Sequence, residues 1–409
     1  MKIGVYGGSF DPVHNGHIAM IRSALKSGFI DCVIVIPSVR NSFKLYTNKL
    51  PPPYRIYMMK ETVEGMGLKN VFVSDIEYGI DGVSYTSVVL AKLTSDEYII
   101  PFLTDNGIKR KKAEEHHEFF WIMGSDTLGT FENWYKPGEI LNYASLLAAV
   151  RPGDDTDVEK AKASIKKNLG GKVEIFRLDG IECSSSQIIS SGDYSQVPEP
   201  ALEFIKRHAL YTENTKLEGV SDEARKQFFE AAVWMYRYLG GKRLLHTLNV
   251  GYLSAHLAGL YGCDKDKALI AGALHDCAKE LPIEQQLEMA KRYSGDLFTE
   301  KKIIHSSAGA TFVKEDLGIE DKDILDAICY HTTGRGNMTV LEKIVYLADK
   351  IEPARNYMDL GPIRETAEHD LDEAVRMTAD AVRNKFKSQG REMHPVTIQM
   401  MKDLGMLSE

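Results

Sequence analysis

Residues 7–17 read Gly-Gly-Ser-Phe-Asp-Pro-Val-His-Asn-Gly-His, and this stretch decides the reading of the first half of the chain. Ahead of it, Lys2-Ile3-Gly4-Val5-Tyr6 reads as a short buried strand. Behind it, Ile18, Ile21 and Leu25 recur at helical spacing and stop at Gly28. A strand, a glycine turn at Gly7 and Gly8, and a helix start follow one another. Such a turn aims backbone N–H groups and the positive end of a helix dipole at whatever lies above it, which suits phosphate. His14 and His17 are three residues apart and share a face in the first helical turn. Two imidazole donors beside a phosphate cradle fit chemistry in which a phosphate is itself the attacking group. Such a reaction needs positioning and charge stabilisation and no side-chain nucleophile.

The 409 residues exceed one typical core and predict two domains. With 44% hydrophobic and 26% charged residues the chain has an ordinary globular composition. A net charge of −8 argues against a nonspecific nucleic-acid binder. No apolar run reaches membrane-span length, and the N-terminus reads as a strand rather than a signal peptide. Five scattered cysteines (Cys32, Cys183, Cys263, Cys277, Cys329) without a CxxC pair are expected as reduced thiols in a cytoplasmic protein.

Further strands are expected at Cys32–Pro37, Val71–Ser74, Phe119–Met123, Leu146–Val150 and Val173–Phe176, with helical stretches between them. This alternation predicts an α/β domain with a doubly wound parallel sheet and ligands at the carboxyl ends of the strands. Ser84 is typed as the N-cap of a helix through Val88, Val89 and Leu93. Ser184, Ser185 and Ser186 place three hydroxyls at a helix start, suited to phosphate oxygens. Residues 94–118 are long and charged, and read as a surface insertion that shapes or covers the site.

The 7–17 stretch resembles the (G)GxFDPxHxGH signature of the nucleotidyltransferase superfamily, and most closely bacterial nicotinate-mononucleotide adenylyltransferases. The resemblance covers residues 1–212 and implies a Rossmann-like fold. It places ATP-phosphate contacts on the catalytic pair His14 and His17 and on Gly7, Gly8, Ser9 and Phe10. Ser84-Tyr85-Thr86 is similar to the segment that lies against the nicotinate ring, and Trp134 to the tryptophan that stacks on it. Gly124 and Asp126 match the adenosine-site GxD, and Lys44 and Arg55 match basic positions that contact phosphates. Cys183 to Ile189 corresponds to the second phosphate signature, ISSTxIR, but Ile189 stands where the family has arginine. That arginine grips phosphates as a fixed fork of donors, and no substitute for it is evident in the sequence.

A polar linker is expected at 213–222. From Ser221-Asp222-Glu223 onward no strand alternation recurs, so 223–409 reads as a separate all-α domain. His246, His275, Asp276, His305, His331 and Asp349 each lie on or at the end of an apolar helical stretch, where an unpaired polar group is costly to bury. Metal coordination removes that cost. Nitrogen and oxygen donors without thiolate favour Fe, Mn, Co or Mg, and six ligands suffice for two divalent metals. The order H…HD…H…H…D resembles the HD phosphohydrolase superfamily. The flanking HDCAKE, HTTG and YLADKIEPAR are similar to its YqeK-like group of symmetrical diadenosine tetraphosphate hydrolases. That resemblance implies a di-iron centre on these six residues and phosphate contacts from Lys279, Thr332 and Arg355.

The expectation is a bifunctional chain. One half transfers AMP from ATP, accompanied by Mg²⁺, to nicotinate mononucleotide and releases pyrophosphate. The other hydrolyses diadenosine tetraphosphate to two ADP. The alternative is a nucleotide-binding regulator joined to a phosphatase of another nucleotide. Neither nucleic acid nor membrane is an expected partner, and a homo-oligomer is compatible with the sequence.

Overall fold

The structure is a computed structural model and describes residues 1–40, 49–151, 157–179 and 183–408. The chain divides into two compact units, Met1–Phe204 and Ile205–Glu409.

In the first unit, six strands form a parallel sheet: β1 Lys2–Gly8, β2 Cys32–Pro37, β3 Val71–Val73, β4 Glu118–Gly124, β5 Ala144–Val150 and β6 Val173–Arg177, in the order β3-β2-β1-β4-β5-β6. Helices cover both faces of such a sheet, so its strands read as continuous apolar runs; every residue of β2 is buried. The pleat sends Ile3, Val5, Ile34, Ile36, Trp121, Met123, Leu146 and Ala148 into one core, closed by Val89, Leu90, Ile99, Leu103 and Phe131. Each fully buried aliphatic side chain there contributes about 1.5–3 kcal/mol. β1 pairs with β2 on one side and β4 on the other, Val5 facing Ile34 and Trp121. The winding direction reverses between β1 and β4, which opens a crevice beyond their carboxyl ends.

Two local expectations are corrected. The helix after β3 is Thr86–Leu93 with Tyr85 at its N-cap, so Ser84 lies one residue outside. The Ser84 side chain bonds the buried Glu77 carboxylate instead, which takes it away from capping. Residues 94–118 are no loose insertion: the helix Asp96–Asp105 buries Ile99 and Leu103 in the sheet core, and Tyr98 Oη bonds Ser74 Oγ at 2.7 Å.

The second unit is helical, with no strand among its described residues. Its centre is the pair Gly241–Leu260 and Lys265–Leu274, packed backbone to backbone at Gly272. A Cβ on Gly272 would stand 2.6 Å from Ser254 Oγ and 2.8 Å from the Val250 carbonyl oxygen, so only glycine permits that approach. Around the pair lie Ile304–Leu317, Lys322–Tyr330 and Val340–Ile351, the last opened by a capping box of Thr339 and Glu342. Among the described residues no helix is long and apolar enough to cross a membrane.

Candidate active sites

At the carboxyl end of β1, Gly7 gives the chain room to pass beneath Trp121, since a Cβ there would meet Trp121 Cη2 at 2.7 Å. The loop then turns so that His14 becomes the N-cap of the helix Asn15–Lys26. The His14 N–H donates to His17 Nδ1 at 3.2 Å, and the two rings stack with centroids 3.6 Å apart. An accepting Nδ1 leaves the proton of neutral His17 on Nε2. Burial holds both rings neutral. The His14 pKa falls to about 4, helped by the positive charge of Arg151, and that of His17 falls well below its usual value under burial and the neighbouring His14. His14 Nδ1 is buried with no hydrogen-bond partner among the described residues.

His14 and His17 line a cleft of about 390 Å³ with Ser9, Lys49, Arg151 and Ser184 to Ser186. Ser184 is the N-cap of the helix Ser185–Ser191, and Ser185 Oγ donates to the Pro12 carbonyl at 3.0 Å, tying the two phosphate segments together. Ser9 Oγ accepts from Lys49 Nζ at 2.5 Å. Phe10 is buried beneath the loop, its ring 4.8 Å from that of His17, and supports it by packing. Arg55 is also buried and donates to the Ser9 and Leu50 carbonyls at 2.8 and 3.0 Å, which braces the loop from below. Lys44 lies outside the described residues. Ile189 is 41% exposed and does not line the cleft.

Gly124 ends β4, the other strand of the crevice, and Asp126 follows in its first helical turn. Trp134 is half-buried and packs edge-on against Trp121 and against Phe131. Tyr85, just before Thr86, stacks instead on the exposed Tyr135, with centroids 4.1 Å apart. Sequence reasoning missed Tyr135 and Arg151. Arg151 directly follows β5, and the rule that sites gather at strand carboxyl ends would have found it.

In the second unit the six histidines and aspartates converge from three helices and the ends of two others. His246 lies inside Gly241–Leu260, His305 at the start of Ile304–Leu317 and Asp349 near the end of Val340–Ile351. His275 and His331 are C-caps, and Asp276 follows the first of them. Three overlapping groups bring ligand atoms within 4.8 Å of one another: His246–His275–Asp276, His275–His331–Asp349 and Asp276–His305–His331.

The proton positions fit this donor set to divalent cations. His275 Nδ1 donates to the Gly272 carbonyl at 2.7 Å, so Nε2 carries the lone pair. That fully buried Nε2 makes no hydrogen bond and faces Asp349 Oδ1 at 3.6 Å and Asp276 Oδ2 at 3.8 Å. A bare nitrogen held against two carboxylates is costly without a cation between them. Burial opposes the charge of Asp276, but the groups that hydrogen-bond to it, His305 among them, outweigh it and hold the carboxyl well below its usual range. Asp349 is lowered likewise by Lys350 and His246, against the effect of its burial. Both are ionised, as ligands must be.

Lys279 Nζ stands 3.0 Å from His305 Nε2, and Thr332 Oγ1 3.0 Å from His331 Nε2. Arg355 Nη2 reaches Asp349 Oδ1 at 3.0 Å. Three further residues join them: Arg243, 2.6 Å from Asp276 Oδ2; Lys350, 2.9 Å from Asp349 Oδ2; and Glu352, 3.1 Å from His246 Nδ1. Arg243 precedes His246 by one helical turn and Glu352 follows Asp349 by three residues, a spacing signal that could have found both. The centre opens into a cleft of about 490 Å³ that Lys385, Phe386 and Arg391 also line.

Residues 243–354 match the HD domain family, and residues 5–191 the cytidylyltransferase-like family. A Mycoplasma pneumoniae protein named probable nicotinate-nucleotide adenylyltransferase/Ap4A hydrolase is 26% identical over 94% of this chain and 100% of its own length. A protein of Lachnoclostridium phytofermentans named probable nicotinate-nucleotide adenylyltransferase is 26% identical over 51% of this chain and 98% of its own. The symmetrical bis(5'-nucleosyl)-tetraphosphatase of Halalkalibacterium halodurans is 40% identical over 34% of this chain and 75% of its own. The chain therefore belongs to the symmetrical bis(5'-nucleosyl)-tetraphosphatase family of HD-domain proteins, with a cytidylyltransferase-like domain at residues 5–191 of the same chain.

Proposed function

We propose that the chain is a bifunctional enzyme: a nicotinate-nucleotide adenylyltransferase in residues 1–212 and a symmetrical diadenosine tetraphosphate hydrolase in residues 223–409, joined through 213–222 and working in the cytoplasm. The observation that carries this reading is the pair of separate clefts, one lined by His14, His17 and four serines, the other floored by four histidines and two aspartates. The near-full-length similarity to a protein named for both activities supports it.

In the first cleft a phosphate oxygen of nicotinate mononucleotide attacks the α-phosphorus of ATP, and the bond to pyrophosphate breaks. His17 Nε2–H and His14, both neutral, donate to the phosphoryl oxygens as charge builds, while Ser184 to Ser186 hold the departing phosphates and Mg²⁺ accompanies ATP. Arg151 supplies the fixed positive fork that the chain lacks at Ile189. The stacked pair Tyr85 and Tyr135 offers an aromatic face to the pyridine ring, with Ser84, Thr86 and Trp134 around it and Asp126 toward the adenosine.

In the second cleft two divalent metals, iron in the first instance, supply Lewis acidity and a water of lowered pKa when bound. His246, His275, Asp276, His305, His331 and Asp349 hold them. One water is consumed at the central phosphoanhydride, that P–O bond breaks, and each half leaves as ADP. Lys279, Thr332 and Arg355 orient the polyphosphate and offset its charge.

Pyrophosphate release from ATP, Mg²⁺ and nicotinate mononucleotide, lost in His17→Ala, tests the first activity. ATP binding without release would favour the regulator reading instead.

A further inference from the structure

Behind His246 runs a chain of buried side chains that the reaction itself does not use. His246 Nδ1 lies 3.1 Å from Glu352 Oε1. Glu352 Oε2 accepts from the Ala354 N–H at 2.7 Å and from Asn249 Nδ2 at 2.8 Å. Asn249 Nδ2 also stands 3.0 Å from His208 Nδ1. Glu352 and Asn249 are 2% exposed, His246 and His208 7%.

The donors and acceptors fix the protons along this chain. A carboxylate only accepts, so His246 Nδ1 donates its hydrogen to Glu352, and Nε2, 3.0 Å from Asp349 Oδ1, is the nitrogen left for a cation to take in place of a proton. The Asn249 amide nitrogen has two hydrogens and gives one to Glu352 and one to His208, whose Nδ1 is therefore an acceptor. Each member orients the next, and the last of them is a metal-facing imidazole. Outer partners of this kind set the tautomer and ring angle of a ligating histidine.

We infer that Glu352, Asn249 and His208 act as a positioning relay for His246, and that the segment before the HD domain is thereby built into the metal centre. His208 lies outside residues 243–354, which match the HD family. The inference rests on the reading of His246 as a metal ligand.

The test is Mn²⁺ titration of the full-length, metal-stripped chain, followed by the EPR signal of free Mn²⁺, with melting temperature recorded for every variant. Glu352→Ala is expected to weaken Mn²⁺ binding about 10- to 100-fold. His208→Leu, one link further out, is expected to weaken it about three- to tenfold, and His208→Asn, which restores an acceptor, to return it to within about twofold of the native chain. If Glu352→Ala does not fold, Glu352→Gln keeps the shape and presents an amide to His246, with the same direction expected. Native affinity in both His208→Leu and the Glu352 variant would overturn the relay. So would equal weakening in His208→Leu and His208→Asn together with a common drop in melting temperature, which marks packing alone. A native chain that binds no Mn²⁺ would instead overturn the ligand reading on which the relay stands.

Discussion

His275 and His331 cap the carboxyl ends of two different helices in the same way, each holding Nδ1 2.7 Å from the carbonyl oxygen three residues before it, Gly272 in one case and Ile328 in the other. The last turn of a helix leaves its carbonyls unpaired, and here each orphan takes the proton that would otherwise sit on the wrong nitrogen of the ring. Both Nε2 atoms are left as lone pairs directed at Asp276 and Asp349. Helix termination and the direction of Nε2 are thus one piece of geometry. Adding Mn²⁺ to the metal-free chain is therefore expected to raise its melting temperature, by about 2.7 kcal/mol of added stability at a hundredfold excess over Kd. His275→Gln should remove that response. An unchanged response in the variant would count against metal binding at this centre.

Arg151 offers a second expectation. It lines the first cleft and its charge bears on His14 and Tyr6, whereas Ile189 is not among the residues that line it. Arg151→Ala should lower kcat/KM for pyrophosphate release by at least about tenfold, the loss of a charge-assisted bond worth roughly 1.5–3 kcal/mol. Its melting temperature should stay put, because the side chain is exposed. Ile189→Arg should raise activity more in the Arg151→Ala background than in the native chain. Native activity in Arg151→Ala would remove it from the site.

Trp134 and Tyr135 are neighbours with different work. Trp134 packs on Trp121 and Phe131, so Trp134→Ala should cost about 3 kcal/mol in a denaturant titration. Tyr135 is 48% exposed and touches Tyr85, so Tyr135→Ala should change stability by less than about 0.5 kcal/mol. It should instead raise KM for the mononucleotide, measured at saturating ATP. A stability loss in Tyr135→Ala with KM unchanged would reverse the assignment.

The histidine pair sets a pH dependence. The folded pKa of His14 is lowered to about 4, below its unfolded value near 6.5, so between these values the unfolded chain binds the extra proton. The contribution is fully present above pH 6.5 and is lost as pH falls toward 4. Chemical denaturation at fixed ionic strength should show the native chain losing more stability over this window than His14→Gln. Pyrophosphate release should likewise show no titration near pH 6.5 from these two rings. A clear inflection there, absent in His14→Gln, would mean that an imidazolium is used.

How far the sequence could be read follows from how local each signal is. The strand-turn-helix at 7–17 and the helix start at Ser221 depend on neighbours within a few residues, and both form as expected. The six residues of the histidine–aspartate cluster were legible because each interrupts an apolar stretch. Ser84 was misread because its partner, Glu77, belongs to the preceding turn rather than to the helix it was expected to cap. Residues 94–118 looked like an insertion because their charge is plain in sequence, while the docking of Ile99 and Leu103 on the sheet is not. Glu352 could not be tied to His246, 106 residues away, until the helices carrying them were packed together. Arg151 was legible by position, since it directly follows the strand that ends at Val150, at the carboxyl end where ligands gather.

The central claim is two chemistries in one chain, and the hydrolase half gives the sharpest test. The full-length protein, loaded with Fe²⁺ or Mn²⁺, should be incubated with diadenosine tetraphosphate and its products separated by anion exchange. The expected result is ADP alone, two per substrate consumed, and none in His275→Ala. Formation of AMP and ATP, or undiminished hydrolysis in His275→Ala, would contradict it.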